Sequence, residues 1–222
     1  MADRLAAGLL AADAARTRPV RPRDAASLLL WRRGPGGFSV LMGIRSARHR
    51  FMPGKLVFPG GRVDPADRRA RVLSPLSDAT RRALEHRASP SLAHGLAVAA
   101  VRELHEETGL VLGQPTATGG VLPALAPLDY LCRAVTPTTM PVRFHARFLL
   151  APAEAASGTL AGTGELEELD WYPVDEIPQN TLALITARVL EEFRAAMAMD
   201  ETSRTSRPLA WFQGQDRRKT ER

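Results

Sequence analysis

A single cysteine, Cys132, stands in 222 residues. One thiol excludes an internal disulfide, and with it a small fold stapled together in place of a core. Cys132 lies in an apolar, strand-like run (residues 128–135), which reads as a buried inert thiol rather than a nucleophile. Aromatic residues are scarce, at 5%, and they do not interleave with the arginines as a base-stacking surface requires. No apolar run is long enough to span a bilayer. The first fifteen residues carry an arginine and two aspartates and lack a basic region ahead of a long apolar core. No secretory signal is expected there. Their Leu5, Leu9 and Leu10 spacing suggests a short amphipathic helix. Nothing repeats at a fixed period. These absences leave a reducing, cytoplasmic setting as the expectation, with no membrane partner.

What is present fits one globular domain with appendages. Hydrophobic residues at 45% and charged residues at 24% are ordinary for a chain that buries a core. The net charge of +6 favours anionic partners. The arginines are scattered through the N-terminal arm, the middle and the tail, so a nucleic-acid partner is not expected and an anionic small molecule is. Residues 26–33 and 38–45 are strand-like runs joined by Gly34-Pro35-Gly36-Gly37, a hairpin signal. Residues 128–135 and 142–150 repeat that arrangement across 136–141. Residues 169–174 read as a further strand and 181–199 as an amphipathic helix.

The most informative stretch is Arg102-Glu103-Leu104-His105-Glu106-Glu107-Thr108-Gly109-Leu110. On a helix, Glu103, Glu106 and Glu107 stand at i, i+3 and i+4 and share one face. Unpaired, they repel one another. A divalent cation between them removes the repulsion, and hard oxygen donors suit Mg²⁺ or Mn²⁺. Arg102 sits beside Glu103 and four residues before Glu106, so its fork of donors can hold a carboxylate in place. Gly109 stops the helix as a left-handed C-terminal residue. Leu96, Ala97, Ala100, Val101 and Leu104 form the opposite, apolar stripe. Upstream, Phe58-Pro59-Gly60-Gly61-Arg62-Val63-Asp64 follows a short apolar strand. Two glycines there allow a tight turn and a close approach of backbone to a ligand.

Together the two stretches resemble the box of the Nudix hydrolases: a Gly, five residues, a Glu, seven residues, then Arg-Glu-apolar-any-Glu-Glu-any-Gly-apolar. Gly61 matches the first Gly, and residues 102–110 match the second half throughout. Two departures stand out. Asp67 replaces the first Glu, and residues 68–101 lie where seven residues are usual. The arginine-rich excess (about 68–92) is expected as a polar, partly helical insertion inside the box, which costs little loop-closure entropy. The helix is expected to restart near Ser91 as its cap.

Residues 41–61 add a second likeness, to the extra motif of Nudix enzymes that cleave coenzyme A and its thioesters. Arg45-Ser46, Arg50, Gly54 and Phe58-Pro59-Gly60-Gly61 fall at that motif's spacing, with Met42-Gly43 in place of its Leu-Thr. The split box looks especially like the peroxisomal-type Nudix coenzyme A diphosphatases and their bacterial relatives. The resemblance covers roughly residues 25–180. It implies an α/β/α sandwich around a mixed β-sheet, spanning residues 25–199 between an N-terminal extension (1–24) and a peripheral or disordered tail (200–222). Trp211 and Phe212 are the residues by which that tail could dock back on the domain or on a second subunit, and a homodimer stays open.

By the same resemblance the activity is metal-dependent hydrolysis of a diphosphate linkage, with Mg²⁺ or Mn²⁺ as cofactor. Glu106 and Glu107 are the first metal ligands. Glu103 is a third ligand or the general base, Arg102 orients it, and the Gly60 carbonyl completes the shell. Arg45 and Arg50 grip phosphates. One further carboxylate is expected from among Glu165, Glu167 and Glu168. The implied substrate is coenzyme A or an acyl-coenzyme A, giving 3′,5′-ADP and a phosphopantetheine product. ADP-ribose or another nucleoside diphosphate derivative is the alternative within the class. A non-catalytic nucleotide- or RNA-binding Nudix module is the alternative outside it; the retained carboxylates argue against that one.

Overall fold

The structure is a computed structural model that describes residues 20–47, 52–214 and 218–221. The N-terminal stretch around Leu5, and Arg50, lie outside the described residues. In chain order the elements are β1 (Arg23–Gly34), β2 (Gly37–Arg45), β3 (Leu56–Val57), β4 (Gly60–Arg62), α1 (Asp78–Glu85), α2 (Pro90–Thr108), β5 (Gly113–Pro115) and β6 (Val121–Pro123). There follow β7 (Asp129–Val135), β8 (Phe144–Pro152), β9 (Leu166–Pro173), α3 (Leu184–Met197), α4 (Glu201–Ser206), β10 (Leu209–Gln213) and β11 (Arg218–Glu221).

The Gly-Pro-Gly-Gly signal makes the expected hairpin: β1 and β2 run antiparallel, with Gly34 opposite Gly37. The main sheet is mixed, in the order β11-β10-β7-β8-β1-β2-β3, with β4 on β1 and β9 on β2. β1 and β8 are parallel, and the other pairs around them are antiparallel except β10 with β7. Alternation along β1 explains the layers. Ala26, Leu28 and Leu30 enter the core beneath α1 and α2, whereas Leu29 enters the core beneath α3. Helices on both faces of one mixed sheet give the α/β/α sandwich the sequence implied. Among the described residues, no helix is long and apolar enough to cross a membrane.

Two segments differ from expectation. The insertion is not only polar decoration: α1 buries Thr80 and Leu84, and Leu84 is 2% exposed within the α2 core. Burying a leucine side chain contributes about 1.5–3 kcal/mol, enough to bind a short helix to its neighbour. Thr80 Oγ1 also donates to the Leu128 carbonyl at 2.8 Å, tying α1 to the start of β7. The segment after residue 200 is likewise more than a loose tail. β10 pairs in parallel with β7, and Ala210 and Phe212 are buried in the α3 core. Its alternation, with Trp211 on the opposite face against Arg133, supplies the apolar anchor that a polar tail would lack.

Candidate active site

The C-terminal half of α2 carries the acidic trio. The helix begins at Pro90, and Ser89 just before it is the cap, its hydroxyl accepting from the Leu92 N–H at 3.3 Å. The expected cap at Ser91 is therefore corrected to Ser89. Proline at the first helical position has no N–H to satisfy and a φ already suited to a helix, which fixes the start there. At the other end Gly109 adopts φ 73°, and its N–H donates to the His105 carbonyl at 2.9 Å. Glu106 and Glu107 thus fall in the last turn, where the helix's own dipole is negative. The arrangement adds like charge to like charge, and it persists only with positive partners nearby.

Arg102 is the partner the structure shows. Its Nε and Nη2 each donate to one oxygen of Asp67 at 3.1 Å, its Nη1 donates to Glu103 at 2.9 Å and to Glu106 at 2.8 Å, and its Nη2 reaches the Arg62 carbonyl at 2.9 Å. Asp67 is only 4% exposed, held in a short 3₁₀ turn and accepting also from the Asp64 N–H. The insertion therefore loops out and returns without separating the two halves of the motif. The shorter carboxylate still reaches the arginine bidentately. Burial works against the charged form of Arg102. The hydrogen bond to Asp67 and the charges of Glu103, Asp67 and Glu106 outweigh it and keep the guanidinium firmly protonated.

The glycine turn explains itself by space. A Cβ on Gly60 would lie 2.4 Å from Ser27 Oγ and 2.5 Å from the Ala26 carbonyl oxygen, and one on Gly61 would lie 2.2 Å from Glu103 Oε1. Only glycine lets β4 lie against β1 and the Glu103 carboxylate at once. The sequence pointed to the Gly60 carbonyl; the contact seen is its N–H, which donates to Glu107 Oε2 at 2.8 Å. Gly61→Ala is expected to push the Glu103 carboxylate aside and lower kcat/KM about 100-fold. The melting temperature should stay close to the parent's, because the far end of a side chain can move cheaply. Steady-state kinetics with a parallel thermal melt checks both halves.

Burial raises the Glu107 carboxyl to about 8, assisted by the charges of Glu103 and Glu165 and opposed by the Gly60 N–H and by Arg45. Burial also raises Glu103, against the pull of Arg102. Of the expected acidic pool, Glu165 is the one that lines the cleft and acts on both of these groups. Glu167 and Glu168 are exposed on β9. Arg45, at the end of β2, also lines the cleft, and its buried Nε has no hydrogen-bond partner among the described residues.

Among the described residues, no three acidic, His or Cys side chains already converge at ligating distance on one point. Arg102 Nη1 lies between Glu103 and Glu106 and draws their oxygens to itself. The donor set still fits a hard divalent cation, because it is all oxygen and its most buried member, Glu107, is pushed towards its protonated form by burial and, after that, by the charges of Glu103 and Glu165. Replacing that proton with a cation relieves the same repulsion.

These groups open into a cleft of about 980 Å³. Its far half is apolar, walled by Phe148, Met140, Ile185 and Phe212 among others. That half was not foreseen from the sequence, since its residues come from four separate elements.

Residues 92–193 match the family described as NUDIX domain. The match starts inside α2, past the insertion, so it contains the acidic half of the motif and not the glycine turn. The crystal structure of a NUDIX hydrolase from Alicyclobacillus acidocaldarius is similar at a TM-score of 0.55 and 26% identity, over 81% of this chain and 96% of that one. The MutT protein from Methanosarcina mazei Go1 shares the fold at a TM-score of 0.50 and 17% identity, over 81% of this chain and 99% of that one. Domain match and fold together support the Nudix superfamily. They support an enzyme of the Nudix diphosphatase class.

Proposed function

We propose that this enzyme hydrolyses the diphosphate linkage of coenzyme A or an acyl-coenzyme A, releasing 3′,5′-ADP and the (acyl)phosphopantetheine, with Mg²⁺ or Mn²⁺ as cofactor. The observation that carries the reading is the joining, in one cleft, of the acidic trio, the buried Arg45 Nε, which has no hydrogen-bond partner among the described residues, and a long apolar half. Arg45 belongs to the motif that resembles the coenzyme A branch, and its place beside the carboxylates suits a phosphate.

A diphosphate resists attack because its anionic oxygens repel a nucleophile. Glu106 and Glu107, with Glu103 and Glu165 at hand and the Gly60 carbonyl adjacent, would hold the divalent ion. When bound, that ion neutralises the diphosphate oxygens and makes water more acidic. Glu103 takes the proton of the attacking water; its raised affinity for a proton suits that task. Arg102 orients Glu103 through Nη1 and is itself locked by Asp67. Arg45 supplies a fixed guanidinium for a phosphate oxygen, and Gly60 and Gly61 let the substrate come close to the backbone. The backbone N–H of Gly60 keeps Glu107 turned towards the cleft.

The test is a panel of coenzyme A, a medium-chain acyl-coenzyme A, ADP-ribose and a dinucleoside polyphosphate, each with Mg²⁺ and with Mn²⁺. Release of 3′,5′-ADP from the coenzyme A compounds at the highest kcat/KM is expected. Indifference to coenzyme A with both metals, alongside turnover of ADP-ribose, removes this substrate and leaves the class.

A further inference from the structure

The apolar half of the cleft has a regular construction. Across the sheet, Arg62 on β4 is paired with Ala25 on β1, Ala25 with Ala146 on β8, Ala146 with Ala134 on β7, and Ala134 with Phe212 on β10. Paired residues share a face of the sheet, and all five line the cleft. Three consecutive alanines therefore floor a channel that starts beside the glycine turn and ends on a phenylalanine. At roughly 4.8 Å per strand step, Ala25 to Phe212 spans about 14 Å. Phe144 and Phe148, two residues either side of Ala146 on β8, also line the cleft and bank the channel.

Two further observations indicate what the channel takes. Met140 and Leu184 are 44% and 47% exposed, and both are on the cleft lining. Large apolar side chains left in water at the rim of a channel suit an apolar occupant. The alanine floor offers no side-chain donor or acceptor, so a flat base lying on it would find no partner there, whereas an extended chain can rest on it through its methylene groups alone. Phe212 itself is 5% exposed. Its strand is pinned to β7, because Arg207 Nη2 donates to the Tyr130 carbonyl at 2.8 Å.

We propose that this alanine-floored channel holds a linear aliphatic arm attached to the substrate's diphosphate, and that Phe212, on β10, limits the length of that arm. The inference rests on the diphosphatase reading and deepens it. It concerns the arm alone, so it can fail while that reading stands.

The test uses P²-alkyl esters of ADP bearing ethyl, butyl, octyl and dodecyl groups. Water adds across the P–O–P bridge of each, giving AMP and the alkyl phosphate. With Mn²⁺ the parent's kcat/KM should climb from ethyl to octyl and drop at dodecyl. Phe212→Ala should raise the dodecyl-to-octyl ratio about tenfold, and Ala146→Leu, which fills the floor, should lower the octyl-to-ethyl ratio about tenfold. Should Phe212→Ala prove too unstable to purify, Ala146→Leu carries the test, since its side chain grows into the cleft. A flat profile along the series, or ratios that the variants leave unmoved, overturns the channel. A parent that turns over coenzyme A but none of the esters overturns the channel, and one that cleaves neither removes the diphosphatase reading itself.

Discussion

Glu107→Gln is expected to lower kcat/KM by about 10²–10³-fold while leaving the metal-free protein at least as stable as the parent. The two effects have opposite signs for one reason. Glu107 is 2% exposed, at the negative end of α2, and faces the charges of Glu103 and Glu165, which together with burial hold its carboxyl at about 8. A glutamine has the same shape and still offers an oxygen to the Gly60 N–H, so the hydrogen bond survives. What is lost is the charge that a cation needs; what is gained is relief from burying that charge when no cation is there. In chelator the variant should therefore melt at or above the parent's temperature. Saturating Mn²⁺ should raise the parent's melting point and leave the variant's almost unmoved, because only a state that binds the ligand is stabilised by it. Equal activity in parent and variant would show that Glu107 has no part in the reaction.

The second large effect falls on Arg102. Each of its N–H groups finds an acceptor, and two of these bonds go to Asp67, whose side chain is 5% exposed. Removing one member of a buried ion pair leaves the other charged and unpaired, at a cost of about 3–5 kcal/mol. For a chain of this size that corresponds to a fall in melting temperature of about 10 °C. Arg102→Lys should lose most of the same stability, since an ammonium cannot bridge two oxygens of Asp67 and also reach Glu103. Activity should fall further than stability explains, because Glu103 loses its orientation. Thermal melts of Arg102→Ala, Arg102→Lys and Asp67→Asn, read beside kcat at a temperature where all three are folded, separate the two roles. Melting points within a degree or two of the parent's would show that the pair does not join the halves of the motif.

The parts legible in the sequence are those with a local cause. Three carboxylates on one helical face, a glycine stop, a Gly-Pro-Gly-Gly hairpin and an apolar stripe on α2 each follow from a few neighbouring residues, and the structure has them. The cap at Ser89 is also local in cause, because proline favours the first helical position and Pro90 follows that serine directly. Other features depend on contacts between distant segments. The bidentate grip of Asp67 on Arg102 spans the insertion, so no spacing rule reveals it. Glu165 separates from Glu167 and Glu168 only once β9 is laid beside β2. The alanine floor is a property of register across three strands, each contributing one small residue. β10 was hidden by its polar flanks, although the alternation of Ala210, Trp211 and Phe212 is the pattern of a half-buried strand.

Calorimetric titration of Mn²⁺ into chelator-stripped protein, near about pH 6 and about pH 9, examines the carboxylate trio directly. A cation bound by Glu107 must displace its proton below about 8 and need not above it. Saturable binding is therefore expected at both pH values, tighter at the higher one, with proton release to the buffer at the lower one, and with the heat abolished in Glu107→Gln. No saturable binding at either pH, or binding that Glu107→Gln leaves intact, would contradict the assignment of these carboxylates to a metal ion.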